Sequence, residues 1–265
     1  MKRFRLPAGK RVRLDDFDPD DTSLFPGGKN EAAEKSAKLQ KRIGELQELL
    51  YAEHKQRVLI VLQGMDTSGK DGTVRFVMGE CSPQGVRVVS FKRPTEHELA
   101  HDYLWRVHAE TPGTGEITVF NRSHYEDVLV VRVHDKSGSI RWKKRYRQIN
   151  DFEQSLAENG TTILKFFLHI SKAEQRKRLQ ARIDDPTKRW KFEHGDLEER
   201  KLWDDYMRAY EDAINATSTR YAEWTLVPSN AKWFRNYVVS NTVVDALERL
   251  RMKYPQPDLS AESIG

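Results

Sequence analysis

The residues of this chain best suited to chemistry stand in one ten-residue run, Gly64-Met65-Asp66-Thr67-Ser68-Gly69-Lys70-Asp71-Gly72-Thr73. The run fits the pattern G-x4-G-K. Glycines at this spacing let backbone N–H groups fold around phosphate oxygens, the following helix offers its positive N-terminus, and the lysine neutralises terminal phosphate charge. Gly64, Thr67, Ser68, Gly69, Lys70, Asp71, Gly72 and Thr73 are therefore candidate phosphate-binding residues. One departure carries information. The Ser/Thr that usually follows the lysine and ligates Mg2+ is Asp71 here, and a further carboxylate, Asp66, lies inside the loop. A carboxylate rather than that hydroxyl is then the expected magnesium ligand.

A second group is Asn121-Arg122-Ser123-His124-Tyr125-Glu126-Asp127, which closes the apolar run EITVFN (116–121). In phosphate-loop enzymes a carboxylate near the end of another strand helps hold Mg2+. Glu126 or Asp127 can fill that role, with Arg122 directed at phosphate, because strand ends in an open parallel sheet face the ligand crevice. A third group lies in SKAEQRKRLQARIDDPTKRWKF (171–192). Arg178 and Arg182 are four apart and share a helix face, with Lys188, Arg189 and Lys191 beyond a break at Pro186. Mobile arginines that close over phosphates neutralise charge during phosphoryl transfer. Trp190, Trp203 and Tyr206 could stack on bases, but their spacing across an acidic stretch reads as packing between lid helices.

A rival motif is His97-Glu98-Leu99-Ala100-His101, which fits the zinc-protease pattern H-E-x-x-H. Its segment lies between two strands of one parallel sheet. His108 and Glu116 are candidate third ligands, but neither sits in a recognisable downstream motif. A polar helix with two exposed histidines accounts for it better.

The elements that must position these groups follow from the apolar pattern. RVLIVLQ (57–63) is a short β-branched run that suits a buried parallel strand leading into the loop. VRVVSF (86–91), EITVFN (116–121), TILKFFL (162–168) and WTLVPS (224–229) are four more strands, spaced widely enough for crossover helices. Leu39, Ile43, Leu46 and Leu50 mark an amphipathic helix over about 30–56, and another helix should follow the loop over about 70–80. Residues 1–28, with Pro7, Pro19, Pro26 and the Gly27–Gly28 pair, read as an extended arm draped over the domain.

Composition narrows the class. The 265 residues carry 45 basic and 40 acidic side chains, a net charge of +5, and 38% are hydrophobic. Such a chain has room for one large α/β domain. Its longest apolar run, Val58 to Leu62, is far short of the roughly 20 residues that cross a bilayer, and the basic N-terminus lacks the apolar stretch of a secretory signal. A single cysteine, Cys81, leaves no intrachain disulfide. A cytoplasmic protein is expected. The basic charge is concentrated: residues 141–147 (RWKKRYR) hold five basic groups and no acidic one, and residues 172–191 hold eight against three. Local stripes on a nearly balanced chain point to a polyanionic ligand held at one place.

Taken together, GMDTSGKDGT (64–73), FKRPT (91–95), NRSHYED (121–127), RLQARIDDPTKRWKF (178–192), KLWDDYMRAYEDA (201–213) and VPSNAKWFRN (227–236) resemble the polyphosphate kinase 2 family over about residues 30–250. The resemblance implies a thymidylate-kinase-like α/β sandwich: a parallel-sheet P-loop kinase with a helical lid at about 178–205, an N-terminal arm (1–29), a single kinase domain (30–255) and a tail (256–265). It implies Mg2+-dependent, reversible transfer of phosphoryl groups between inorganic polyphosphate and adenine nucleotides, with Mn2+ as an alternative cation, and a homodimer or homotetramer. Carried onto this chain, Asp66 is the metal-side carboxylate and Lys70 the phosphate clamp. Arg122 is a phosphate contact, and Arg178 and Arg182 are lid arginines supported by Lys188 and Arg189. Arg93, Asn121 and Asp127 fall on the nucleotide side. Many members carry Asp at the position of Asn121 and Asn at that of Glu126, so a carboxylate lost at one place returns five residues later. That exchange either relocates a metal ligand, with Glu126 the second metal candidate, or reshapes the acceptor site. NRSHYE resembles the subgroup that phosphorylates AMP as well as ADP. Three other readings stand beside this one: a nucleoside monophosphate kinase with ATP as donor, a zinc metalloprotease, and a non-catalytic RNA-binding protein, the last disfavoured because phosphate closure explains the basic stripes better.

Overall fold

The computed structural model describes residues 2–135, 141–192 and 194–256. Its centre is β2 (Arg57–Gln63), buried from Val58 onward. Val58, Ile60 and Leu62 enter one apolar cluster while Leu59 and Val61 enter another, the period-two alternation of a strand covered on both faces. Six strands form one sheet in the order β1 (Arg5–Leu6), β6 (Trp224–Pro228), β5 (Thr161–His169), β2, β4 (Ile117–Asn121), β3 (Val86–Val89). All neighbours are parallel except β1, which runs antiparallel to β6. From β2 the chain visits β3 and β4 on one side, then crosses to β5 and β6 on the other. The crevice beyond the carboxyl end of β2 is therefore the topological switch point where such sheets bind ligands.

One face of the sheet is covered by α1 (Gly28–Glu53) and α10 (Lys232–Arg249), whose Ile43, Leu50, Phe234, Val238 and Val243 pack on β2 and β5. The other is covered by α6 (Trp142–Glu158) and α9 (Trp203–Thr217), through Ile149, Phe152, Tyr210 and Ile214. Shorter helices carry the connections: α2 (Lys70–Val77), α3 (Glu96–Leu99), α4 (Trp105–His108), α5 (Val130–His134), α7 (Lys172–Asp184) and α8 (His194–Lys201).

All five expected strands are present. β3 ends at Val89, two residues early, because Phe91 turns inward to meet Phe120 edge-on at 4.9 Å. The arm departs most from expectation. Leu6 and Leu14 belong to one apolar cluster and Phe4 and Phe25 to the other, and residues 5–6 extend the sheet. Backbone groups of Val12 exchange two 2.9 Å hydrogen bonds with the Asn215 amide, and Leu14 N–H donates to Glu211 at 2.8 Å. The arm is thus woven into the core. The lid region comprises α7, a 3₁₀ turn (Arg189–Lys191) and α8. Apart from Gln256, the tail lies outside the described residues. Among those described, no helix is long and apolar enough to cross a membrane.

Candidate active site

The loop between β2 and α2 is shaped by positions that only certain residues tolerate. Gly64 has φ +153°, and a Cβ there would lie 2.7 Å from the Leu168 carbonyl oxygen of β5. Thr67 adopts a left-handed φ of +64°, a conformation that costs a β-branched residue energy and marks a loop held by its surroundings. Lys70 folds back over the loop and donates to the Gly64 carbonyl at 2.7 Å and the Met65 carbonyl at 3.4 Å. Burial pushes its ammonium pKa down, opposed chiefly by Asp66. The hydroxyls of Thr67 and Ser68 are buried and have no hydrogen-bond partner among the described residues. Buried donors left unpaired are costly unless a ligand satisfies them. Thr73 spends its hydroxyl on the Gly69 carbonyl (3.0 Å) inside the first turn of α2, and Gly72 faces Arg235, so these two shape the helix start.

The end of β4 meets this loop. Arg122, at a left-handed φ of +66°, reaches Asp66 at 3.0 Å. Asn121 donates to one oxygen of Asp71 at 2.8 Å, and Lys191 of the lid pairs with the other at 3.3 Å. Burial would raise the Asp71 carboxyl, but these two donors outweigh it and hold the pKa below the usual range. Asp66, Lys70, Arg122 and Glu126 line one cleft of about 270 Å³, closed on the far side by Asp196, Glu199, Tyr206 and Tyr210. Burial pushes the Glu126 carboxyl up against the pull of Arg122 and Lys70. Two carboxylates beside an expected phosphate position suit a hard divalent cation, which takes its remaining ligands from water and phosphate oxygens. No cluster of three metal-ligating side chains occurs among the described residues.

Asp127 faces elsewhere. The 3₁₀ turn His124–Val128 sends Glu126 to the small cleft and Asp127 to a second one of about 690 Å³, which Tyr103, Arg106, Arg141, Lys144 and Arg145 also line. Arg145 donates to both the Asp127 carboxylate (3.1 Å) and its carbonyl (2.9 Å), and lies over the Tyr103 ring at 4.5 Å. Pro94 lines the same cleft; Arg93, beside it, is exposed. His124 and Tyr125 are buried beneath the site. Both bond Glu153, which pairs with Lys165 at 2.6 Å in an interior where neither charged side chain is exposed.

The lid departs from the expected picture of mobile arginines on one face. Arg178 is buried under the phosphate loop. Its five N–H groups go to Glu174 (2.8 Å) and to the carbonyls of Thr67 (2.9 Å), Ser68 (3.0 Å), Ser229 (2.6 Å) and Asn230 (2.9 Å). Arg182, one turn on, is partly exposed and reaches Asp196 at 3.7 Å. Lys188 pairs with Asp185, and Arg189 donates to the Ile183 carbonyl at 2.6 Å, so both first brace the turn after α7. The expected packing of three aromatics holds for two. Trp203 and Tyr206 are in the core, whereas Trp190 is 76% exposed.

The H-E-x-x-H segment is helical only through Leu99, at the end of the single turn α3, so His101 lies beyond the helix. Glu98 is spent in a capping box, accepting from Thr95 N–H at 2.7 Å, and His101 stacks on Trp105 with ring centroids 4.2 Å apart. The sequence pointed to Tyr206 only as a packing residue and gave no role to Tyr210, Glu199 or Arg235. Tyr206 and Tyr210 stand four apart on α9 and so share a face, which was the readable signal. For Arg235 there was none beyond its place in the VPSNAKWFRN run.

Comparison with known proteins agrees with this geometry. A family model described as Polyphosphate kinase 2 matches residues 27–255. The chain is 59% identical over 264 residues to an AMP/ADP-polyphosphate phosphotransferase of Meiothermus ruber, covering 100% of this chain and 99% of that one. It is 45% identical over 267 residues to an ADP-polyphosphate phosphotransferase of Rhodopseudomonas palustris, covering 96% and 92%. The crystal structure of polyphosphate kinase 2 from Arthrobacter aurescens TC1 superposes with a TM-score of 0.93 at 45% identity, over 97% of this chain and 92% of that one.

Proposed function

The chain belongs to the polyphosphate kinase 2 family, and from that premise we propose that it carries phosphoryl groups reversibly between inorganic polyphosphate and adenine nucleotides, taking AMP to ADP and ADP to ATP. The observation that carries this reading is the convergence of Asp66, Lys70, Arg122 and Glu126 on one cleft at the mouth of the phosphate loop, under residues of the lid region. The acceptor range rests on the relative named for both AMP and ADP.

Transfer is direct. The end of a polyphosphate chain lies in the loop, where the Thr67 and Ser68 hydroxyls and the free amides of the α2 start take its oxygens. A phosphate oxygen of the nucleotide attacks the terminal phosphorus in line, and the bond from that phosphorus to the bridging oxygen breaks. The attacking group is already an anion, so no strong general base is needed. Lys70 and Arg122 stabilise the charge that spreads over the transferring group, with Arg182, Lys188 and Arg189 closing from the lid. Arg93, Asn121 and Asp127 are assigned to the nucleotide side; of the three, Asp127 lines the larger cleft, which has room for a base. Asp66 and Glu126 would hold Mg2+ or Mn2+, which when bound neutralises phosphate charge. Closure of the lid excludes water, which otherwise hydrolyses the donor. The same reading takes the protein as cytoplasmic and as a homodimer or homotetramer, as the family resemblance implies.

The test is nucleotide formation from AMP, and separately from ADP, with long-chain polyphosphate and Mg2+ and no ATP. ADP followed by ATP from an AMP-only reaction is the expected result. Product from ADP alone would narrow the acceptor range. Activity that appears only when ATP is supplied as donor would return the chain to the ordinary nucleotide kinases.

A further inference from the structure

The underside of the phosphate loop holds two guanidinium groups that do not line the small cleft. Arg178 comes from α7 and Arg235 from α10, and both are buried. Arg178 binds the Thr67 and Ser68 carbonyls through one nitrogen, and Arg235 adds a 3.3 Å bond to the Ser68 carbonyl. The opposite end of Arg178 is fixed by the Ser229 and Asn230 carbonyls that follow β6. Gly69 is fitted to this arrangement. At φ +102°, a Cβ on it would lie 1.8 Å from Nη1 of Arg235.

A trans peptide is planar, so the carbonyl of one residue and the N–H of the next point in opposite directions. Fastening the Ser68 carbonyl downward therefore turns the Gly69 N–H away from the arginines. That amide and those of Lys70 and Asp71 have no acceptor among the described residues. Rotation of the same peptide would present a carbonyl oxygen to an anion, which repels it. Two like charges side by side are themselves unfavourable. Burial and the nearby Arg178 push Arg235 down to about 10, which still leaves it charged at neutral pH. Only one carboxylate, Glu174, contacts Arg178, and Arg235 touches none among the described residues. Such a pair gains a reason when a polyanion occupies the other side of the loop.

We propose that Arg178 and Arg235 are positioning residues that clamp the loop carbonyls from below, so that its amides face the donor phosphates and Lys70 works against a preset cradle. This assigns Arg178 away from direct phosphate contact and gives Arg235 a role. The inference rests on the reading that Gly64–Thr73 binds donor phosphate.

The experiment is calorimetric titration of inorganic tripolyphosphate into the full chain and its variants, each checked for native circular dichroism. No binding by the unaltered protein overturns the functional reading and takes this inference with it; the later outcomes concern the inference alone. Arg178→Lys keeps a charge but loses the fork, and about tenfold weaker binding is expected, equivalent to about 1.4 kcal/mol. A double-mutant cycle separates the roles. If Arg178 acts through the loop, its effect is strongly non-additive with Lys70→Met and additive with Arg182→Met. Additivity with Lys70 and coupling to Arg182 would instead make Arg178 a lid contact and overturn the proposal. Should Arg178 variants fail to fold, Arg235→Lys carries the same cycle, with coupling to Lys70 expected and its absence decisive against. In Arg178→Ala, millimolar guanidinium should restore tripolyphosphate binding, because five oxygen acceptors wait in the space left behind; a stable variant not rescued this way counts against the clamp.

Discussion

Lys70 and Lys165 are both buried lysines in a single α/β core, and burial pushes both ammonium groups down. They differ in what surrounds them. Lys165 has a full set of partners: the Glu153 carboxylate at 2.6 Å, the Thr217 carbonyl at 2.7 Å and the Tyr125 hydroxyl at 2.9 Å. Lys70 touches two carbonyls and lines a cleft with Arg122 and the carboxylates of Asp66, Glu126, Asp196 and Glu199. The neighbouring loop residues Thr67 and Ser68 carry buried hydroxyls without a partner among the described residues. The glutamates divide the same way. Glu153 is held below the usual range, since Lys165 and His124 outweigh the upward push of burial, whereas burial wins at Glu126 and raises it. A buried charge that is fully paired serves the fold. One left partly unpaired, at the end of a strand and under a lid, is set for a ligand.

The two lysines should respond oppositely to removal of their charge. Lys70→Met is expected to cost about 10²–10³-fold in kcat, the scale of losing one preorganised charge at a transition state, while thermal stability changes little. Comparable turnover in the folded variant would remove Lys70 from the mechanism. Lys165→Met should do the reverse. Leaving Glu153 buried without its lysine costs up to about 3–5 kcal/mol of stability, and Lys165→Met/Glu153→Leu should recover much of it. Denaturant melts of the three proteins decide this, and a double variant less stable than the single would contradict it.

The two glutamates should diverge in the same way with pH. A carboxyl with a raised folded pKa binds its proton more tightly when folded, so it penalises stability as pH rises above the unfolded value. Glu126→Gln should therefore melt higher at neutral pH, by up to about 1 kcal/mol, and lose activity at the same time. Glu153, with a lowered pKa, contributes stability that is full above the ordinary glutamate value of about 4.3 and lost as pH falls through its folded value. Glu153→Gln should remove that acid dependence. A destabilised Glu126→Gln would place that residue with the structural group. The smallest effect is expected at the exposed Asp71–Lys191 pair, where Asp71→Asn should cost less than about 1 kcal/mol by thermal melting. A larger loss would mean that this contact holds the lid down by more than surface charge.

The elements were legible because their signals are local. The apolar runs ending at Gln63 and Asn121 mark β2 and β4, and the residues after them fall at the switch point by topology alone. The arm was not legible, because a two-residue strand and four scattered apolar anchors have no period to detect. At the site, residue type gave Asp66, Lys70, Arg122 and Glu126, but could not say that Asp127, next in sequence, serves another cleft. That separation depends on one 3₁₀ turn. Nor could helical spacing distinguish Arg178 from Arg182. The loop carbonyls that bind Arg178 lie 110 and 111 positions away, and such pairing appears only when the chain has folded.

The most direct test of this division between paired and unpaired charge is thermal denaturation with and without inorganic tripolyphosphate, in the unaltered chain, in Lys70→Met and in Lys165→Met/Glu153→Leu. A ligand that binds only the native state raises stability by mass action. The account predicts that tripolyphosphate raises Tm in the unaltered chain and in the double variant, and does so weakly or not at all in Lys70→Met. Equal stabilisation of all three, or stabilisation lost only with the Lys165 pair, would contradict it.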